Sequence, residues 1–317
     1  MSHGTDEDKR IVAHVVWSVP SEQTPLSVEE VTVCFNPETQ SRLCASADLE
    51  EAIDRIWNDK LERVHGMYNG TKFRLASFEF AAGGDEPPLH LTLGLTDYKE
   101  FIGTHTGEIA KELHSYGLSS YGDRFACLSC ALGVGAVLLT ADDHITLLRR
   151  SSSVGEAPNC WDVPGGHPEP ERVSCSSGDG GLDRAVAAEL FRSIVEEVKD
   201  EVGLEGEEIT YGPRLIGIFR NATTFLRPGL SFVLHTSLSA RDVAERYNAG
   251  VAEAFESTKI SFVPATEVRR AFLRRGEDST VPETTLRVTG EAAEGEGEMH
   301  LAPAGAATLA AWAWLQR

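Results

Sequence analysis

The sequence predicts a mixed α/β fold in which a sheet lies between helices. Two strand-like segments, at 132–140 and 144–150, flank a short ADD turn, a pattern typical of a hairpin. A long run of good helix formers follows at 182–202, and further strand-like segments come at 214–220 and 230–238. Strands on both sides of a long helix indicate a layered α/β architecture.

The length of the chain allows two domains. Its 317 residues are enough for two domains of ordinary size. We predict a smaller N-terminal α+β domain over 1–125 and a larger domain over 126–317, because the strand-rich pattern starts abruptly at Leu132.

The N-terminal part contains one clear helix and two clear strands. Apolar residues recur at helical spacing over 49–64. Alternating apolar residues predict strands at 72–80 and 89–95, separated by the turn-forming residues GGDEPP. A polar helix is predicted near 106–116.

The C-terminal elements alternate between strand and helix. RDVAERY begins a helix, KISFVPATEVRRAF is a strand that enters a helix, and AGAATLAAWAWLQR is a docked terminal helix. The small polar residues of 171–181 predict a mobile segment, and the acidic, glycine-rich residues of 290–300 predict an exposed loop.

Composition excludes several classes of partner. The chain is 41% hydrophobic and 25% charged, as in soluble globular proteins. Lys and Arg number 29 against 49 Asp and Glu, which gives a net charge of −20. A protein with this much negative charge repels a nucleic-acid backbone. We therefore expect no nucleic-acid partner.

The sequence also gives no sign of a membrane or an oxidising compartment. The first residues lack the apolar core of a signal peptide, and no apolar run is long enough to cross a bilayer. The CxxC pair of Cys127 and Cys130 lacks the second pair that a zinc ribbon needs. We therefore expect ordinary thiols and a cytoplasmic protein, and the oligomeric state stays open.

The end of the long helix concentrates negative charge. Glu196, Glu197, Asp200 and Glu201 lie in its last turns, where the helix dipole is already negative. Glu197, Asp200 and Glu201 share one face, with neighbouring Cβ atoms roughly 5–6 Å apart. Such a face is either exposed to water or bound to a hard divalent cation, which takes carboxylate oxygens as ligands.

The surroundings of this acidic face resemble the Nudix hydrolases. EVKDEVGL, from Glu197 to Leu204, fits the last eight positions of the family's signature, with Asp200 at the first acid of its acidic pair. LGVGAVLLTADDHITLLRR and WDVPGGHPEP resemble the family's first hairpin and the strand that leads into the signature. The resemblance implies a Nudix α/β/α sandwich with a mixed sheet.

The match also has departures. Glu196 stands where the family has arginine, and the upstream glutamate of the signature falls on Ala188, beside Glu189. An insertion separates Gly166 from the helix. These departures leave open a catalytically weak Nudix module that binds a nucleotide or a protein partner.

A narrower resemblance covers most of the chain. DVPGGHPEP, the glycine-rich insertion and GLTDYKEFIGT are similar to the animal Nudix motif 22 group and its plant relatives. That resemblance implies hydrolysis of the nucleotide sugars UDP-glucose and UDP-galactose to UMP and a sugar 1-phosphate. The implied cofactor is Mg²⁺, with Mn²⁺ as an alternative.

The resemblance also implies the residues of the active site. Glu197 and Glu201 are the expected catalytic metal ligands, and Asp200 is an additional or water-mediated ligand. Expected substrate contacts are the phosphate-binding Arg150, the stacking residues Tyr68 and Tyr98, the backbone of Gly155, and the loop residues Asp162, His167 and Glu169. Arg220 and Asn221 are reserve contacts. His167 is alternatively a neighbour of the metal, and Arg150 a solvent-facing strand end.

Overall fold

A computed structural model of the protein describes residues 10–64, 67–81, 88–107, 109–173, 181–253, 255–272, 279–288 and 297–316. The helices are α1 Ala47–Arg63, α2 Tyr98–His105, α3 Ile109–Tyr121, α4 Gly181–Val202, α5 Ala240–Asn248, α6 Ala265–Ala271 and α7 Pro303–Leu315. The strands are β1 Ile11–Ser18, β2 Val31–Phe35, β3 Thr71–Phe80, β4 Leu89–Asp97, β5 Gly133–Leu139, β6 His144–Arg150, β7 Trp161–Asp162, β8 Gly165–Gly166, β9 Ile209–Asn221, β10 Arg227–Thr236, β11 Ser257–Pro264, β12 Thr280–Pro282, β13 Thr285–Val288 and β14 Gly297–His300.

A large mixed sheet lies at the centre of the protein, in the order β11-β6-β5-β10-β9-β1-β12. Strand β10 is parallel to β5 and antiparallel to β9. Along β5, Val134, Ala136 and Leu138 pack in the same core as α4, whereas Val137 and Leu139 pack in the same core as α7. Helices therefore cover both faces, which confirms the predicted α/β/α sandwich.

The predicted hairpin of β5 and β6 is correct only at its turn. The two strands pair at Leu139 and Ile145 and then separate. Strand β7 pairs with β6, and β8 pairs with β5, so the WDVPGGHPEP segment lies between them. The insertion of β7 and β8 between β6 and β5 places Gly165 and Gly166 in the middle of the sheet.

The N-terminal part forms a three-stranded sheet in the order β2-β4-β3, together with α1, α2 and α3. The predicted polar helix at 106–116 is wrong in its limits, because Tyr98–His105 forms a separate helix first and α3 begins at Ile109. The Asp97 side chain caps α2 by accepting a hydrogen bond from the Glu100 amide at 2.8 Å.

Hydrogen bonds join the small sheet and its helix α2 to the large sheet and its loops. The Leu132 amide donates to the Phe73 carbonyl at 2.9 Å, and the Leu75 amide donates to the Cys130 carbonyl at 3.1 Å. In addition, His105 Nδ1 lies 2.9 Å from the Thr224 carbonyl oxygen, and the Cys130 amide donates to His105 Nε2 at 2.9 Å. Burial lowers the pKa of His105 to about 3, so the bridging imidazole is neutral.

The division into domains at residue 125 stays a prediction, and strand β1 qualifies it. Although β1 falls within 1–125, it pairs with β9 and β12 of the large sheet. In addition, strands of the small sheet share one apolar core with α4 and β5. The two parts are therefore built together rather than joined by a linker.

Two predicted loops lie mainly outside the described residues. Residues 174–180 of the predicted mobile segment are not described. Of the predicted loop at 290–300, the described residues 297–300 form β14, which pairs with β13; the loop prediction is wrong there, because β13 supplies a hydrogen-bonding partner. Within the described ranges, no helix combines the length and apolar character needed to cross a membrane.

The two cysteines of the CxxC pair are free thiols. Cys127 and Cys130 are both buried in an apolar cluster with Leu113 and Leu128. Burial raises the pKa of both thiols, so they are protonated at neutral pH and pack as small apolar side chains.

Candidate active site

A cavity of about 680 Å³ opens where α1 and α2 face the large sheet. Helix residues Ile56, Tyr98 and Phe101 form one wall. The opposite wall comes from the sheet and its loops: Gly133, Arg150, Gly155, Glu156, Asp162, Gly165, Gly166, His167, Asn221, Arg227 and Glu256. The cavity therefore draws on both halves of the chain.

Helix α4 places two carboxylates against the glycine pair at the cavity wall. Glu201 is 6% exposed and accepts a hydrogen bond from the Gly165 amide at 2.8 Å. The neighbouring main-chain amide of His167 favours the charged form of Glu197 and so lowers its pKa, against the larger effect of burial. A Cβ atom on Gly165 would lie 2.3 Å from the Val134 main-chain oxygen, so only glycine lets the loop pack this closely on β5, and a Cβ atom on Gly166 would lie 2.1 Å from Glu197 Oε1. The four-residue spacing predicted from sequence therefore brings Glu197 and Glu201 to the same loop.

Two further carboxylates, which the sequence analysis missed, complete an acidic cluster. Glu253 and Glu256 lie in the loop before β11, and their carboxylate oxygens and one of Glu201 lie within 4.8 Å of one another. No recognisable motif surrounds them. In the sequence they appear only as two acids three residues apart before a predicted strand. That this strand pairs with β6 cannot be inferred from local sequence.

The three clustered carboxylates do not include Glu197 or the remaining acids of the helix. Asp200, the predicted additional ligand, accepts a hydrogen bond from the Glu253 amide with its main-chain oxygen at 3.1 Å. The Asp200 charge contributes to the raised pKa of Glu253. Glu196 points to Lys199, with which it forms an ion pair at 3.7 Å.

Ionisation of the acidic cluster is unfavourable. Burial, together with the charges of Glu253 and Glu256, raises the pKa of Glu197 to about 7. Burial also raises the pKa of Glu201 well above its ordinary value, despite the stabilising Gly165 amide. A set of mutually repelling carboxylates, of which Glu201 is buried and the others are half-buried, fits a hard divalent cation, because such an ion takes oxygen ligands and cancels the repulsion.

The other end of the cavity carries paired charges. Arg150 Nη1 lies 3.3 Å from Asp162 Oδ2, and Arg150 Nε donates to the Glu156 carbonyl at 3.0 Å. Burial raises the pKa of Asp162, and the Arg150 charge opposes this shift. Three of the predicted substrate residues, Arg150, Asp162 and the nearby Gly155, therefore line the cavity.

Arg227, at the start of β10, is a third residue that the sequence did not predict. It is 6% exposed, and its Nη2 lies 2.9 Å from Glu156 Oε2. Its Nη1 lies 2.8 Å from His167 Nε2, and its guanidinium lies over the Phe101 ring. An arginine that opens a strand gives no sequence signal, because most such residues face solvent.

His167 is placed between the two ends of the cavity. Burial and the neighbouring Arg227 charge lower the pKa of its imidazole well below the ordinary value. The neutral ring accepts a hydrogen bond from Arg227 at Nε2, which places its proton on Nδ1. The side chain thus faces Arg227, while the main-chain amide of His167 lies on the Glu197 side of the loop, where it lowers the pKa of that carboxyl.

The other predicted substrate residues divide into two groups. Tyr98 lines the cavity and packs against Trp57 and Phe101, with ring centroids 6.1 and 5.9 Å away. Asn221 also lines it. The structure does not place Tyr68, Glu169 and Arg220 among the lining residues: Tyr68 is 73% exposed, Glu169 pairs with Lys72 and Arg172, and Arg220 stacks on Phe125.

Comparison with known proteins establishes the family. No family model matches the sequence. Uridine diphosphate glucose pyrophosphatase NUDT22 of Mus musculus is 40% identical over 252 residues, which cover 77% of this chain and 80% of the relative. The Homo sapiens protein of that name is 40% identical over 249 residues, with 77% and 81% covered. Nudix hydrolase 9 of Arabidopsis thaliana is 32% identical over 259 residues, with 77% and 81% covered.

The chain belongs to the Nudix hydrolase family. Members of this family generally depend on divalent metal ions, and the acidic cluster of this Nudix hydrolase has the ligand type that such ions require. The departures from the signature have a structural counterpart. Glu189 is 2% exposed and forms an ion pair with Arg192. An acid–arginine pair is therefore present on α4, with its arginine about one turn before Glu196.

Proposed function

We propose that this Nudix hydrolase cleaves the diphosphate of the nucleotide sugars UDP-glucose and UDP-galactose with Mg²⁺, for which Mn²⁺ can substitute. One water molecule is consumed, the bridging P–O bond breaks, and the products are UMP and a sugar 1-phosphate. The observation that carries the proposal is one cavity lined by Arg150, the buried Arg227 and Glu256, with carboxylate oxygens of Glu201 and Glu253 within 4.8 Å of that of Glu256. The names of the relatives that are 40% identical support the choice of substrate.

The acidic cluster supplies the ligands. We assign Glu197 and Glu201 as the metal ligands of α4, and Glu256 as a further ligand because it lines the cavity. The bound ion would neutralise the phosphoryl oxygens and make a bound water more acidic. The amide of Gly165 holds the Glu201 carboxylate in a fixed position.

The rest of the cavity binds the two halves of the nucleotide sugar. Arg150 is suited to a phosphate, since a guanidinium forms charge-assisted hydrogen bonds with phosphate oxygens. Tyr98 offers a ring for the uracil base, while Asp162 and the neutral His167 offer hydrogen bonds to hydroxyl groups. A volume of about 680 Å³ lies within the usual range for small-molecule sites.

The same features bear on the partners and the location of the protein. A net charge of −20 disfavours nucleic acids, and we propose a small nucleotide sugar as the ligand of a cytoplasmic enzyme. The acidic charge does not prevent the binding of an anionic ligand, because a local metal ion and arginines reverse the field within a cavity.

The proposal is tested by incubating the protein with UDP-glucose and UDP-galactose, with and without Mg²⁺, and following the products by ³¹P NMR. We expect UMP and sugar 1-phosphate only when the metal is present. Absence of turnover with both Mg²⁺ and Mn²⁺ would contradict the proposal. Nucleotide binding that is then unchanged in Glu201→Gln would support a binding module instead.

A further inference from the structure

One residue contacts both arginines at the far end of the cavity. The Glu156 carboxylate pairs with Arg227 at 2.9 Å, and the Glu156 main-chain oxygen accepts a hydrogen bond from Arg150 at 3.0 Å. Glu156 lies in the loop between β6 and β7, whereas the two arginines lie on strands of the large sheet. One loop residue thus contacts two arginines of the sheet, Arg227 through its carboxylate and Arg150 through its main-chain oxygen.

This pairing is incomplete on both sides. Arg227 Nε and Glu156 Oε1 are buried side-chain atoms without a hydrogen-bond partner. Buried polar atoms of this kind are uncommon, because each leaves its desolvation cost uncompensated. Both residues line the cavity, so a ligand with more oxygens than a carboxylate is able to satisfy donors that Glu156 leaves free.

We propose that Arg227 and Arg150 form a site for a phosphate group of the nucleotide sugar, and that Glu156 occupies this site in the free protein. The inference rests on the proposed function for the identity of the ligand, and it adds Arg227 and Glu156 to the residues that determine affinity. A phosphate group carries more charge and more acceptor oxygens than one carboxylate, and arginine binds it through parallel hydrogen bonds.

The proposal predicts opposite effects for the two partners of one ion pair. Removing the Glu156 charge leaves Arg227 buried and uncompensated, so an added anion gains the whole interaction with Arg227. Removing the Arg227 charge instead removes the cation that binds the phosphate group. In a purely structural ion pair, loss of either partner destabilises the same region, and both variants affect ligand binding in the same direction.

The experiment measures binding by calorimetry in EDTA, where no turnover occurs, with inorganic pyrophosphate and UMP as probes. The proteins are the unaltered chain, Glu156→Gln, Arg227→Gln, Arg227→Lys and the double variant Glu156→Gln/Arg227→Gln. We expect Glu156→Gln to tighten pyrophosphate binding at least threefold and Arg227→Gln to weaken it at least tenfold. Arg227→Lys retains part of the affinity, and the double variant behaves like Arg227→Gln.

The matched control is Arg214→Gln. Arg214 lies on β9, pairs with Glu30 at 4.0 Å and stacks on Tyr211, and it is not among the cavity-lining residues. Its variant should bind both probes as the unaltered chain does, which separates a loss of local charge from a loss of overall positive charge.

Two outcomes would overturn the proposal. Weaker or unchanged pyrophosphate binding in Glu156→Gln would show that this carboxylate does not occupy the site. Unchanged binding in both Arg227 variants would show that Arg227 does not contact phosphate. If Arg227→Gln does not fold, Arg227→Lys and Glu156→Gln decide the matter. Hydrolysis of UDP-glucose by the unaltered chain is measured separately, so failure of the proposed function is distinguishable from failure of this inference.

Discussion

The two ends of the cavity handle buried charge in opposite ways. At the acidic end, Glu197, Glu201, Glu253 and Glu256 bring charges of one sign together, and the pKa of each of the first three is raised. At the arginine end, each cation lies beside a carboxylate. The arginine end is therefore electrically balanced in the free protein, whereas the acidic end needs a cation or protons. Metal ions should therefore bind at the acidic end and leave the arginine end unchanged.

The largest expected effect follows from removing a ligand of the acidic cluster. Glu201→Gln should lower kcat for UDP-glucose at least a hundredfold, because the carboxylate holds the ion while the glutamine oxygen still accepts the Gly165 hydrogen bond. Glu197→Gln should lower kcat at least tenfold. Circular dichroism checks that both variants remain folded, and a near-normal rate in either would remove that residue from the metal shell.

The next effect is a dependence of metal affinity on pH. Burial raises the pKa of Glu197 to about 7, so below this pH an incoming ion must displace a proton. We expect Mg²⁺ affinity to fall about tenfold per pH unit for each displaced proton as pH decreases from 7 to 5. Mg²⁺ titrations followed by thermal unfolding at several pH values measure this, and a flat profile would contradict the raised pKa.

A smaller effect is expected at the loop before β11. Glu256→Gln should weaken Mg²⁺ binding several-fold, because one carboxylate leaves the cluster. The same change should raise the Tm of the metal-free protein by a few degrees, since it removes like-charge repulsion. Opposite shifts with and without Mg²⁺ are therefore the signature. A Tm that falls both with and without Mg²⁺ would show instead that Glu256 stabilises its loop rather than binding the metal ion.

The smallest effect is predicted for the neighbouring acid on the same helix. Glu196 pairs with Lys199, and both side chains are about one-third exposed. An ion pair of this kind contributes little to stability. Glu196→Gln should change kcat/KM by less than about twofold. A large loss would show that the acidic end extends around the helix, beyond the face that touches Gly165 and Gly166.

Local sequence predicted those features of the site that depend on a single element. The spacing of Glu197 and Glu201 places both on one face of α4 whatever surrounds the helix. The glycine pair predicts that the backbone of its loop lies close to a neighbouring group. Arg227 and Glu256 lie near these residues only because β10 pairs with β5 and β11 pairs with β6. Such pairings depend on the whole chain, so spacing within the sequence does not reveal them.

The same distinction explains the predictions that failed in the fold. The β5–β6 hairpin was readable from its turn, but its opening depends on the insertion of β7 and β8. The sequence-predicted role of Tyr98 rests on a helix that packs against the sheet, whereas Tyr68 follows the end of α1 and stays exposed. Aromatic character alone does not tell which of two such rings faces a cavity.

Strand β1 and helix α2 make the catalytic part of the chain dependent on residues far ahead of it. A fragment that starts at residue 126 would retain Glu197, Glu201 and Arg227. However, it would leave β9 without its β1 neighbour and the cavity without the wall that contains Tyr98. The shape of the cavity is therefore set by both parts of the chain, and exchanging one part alone for that of a relative would pair two walls that differ in sequence.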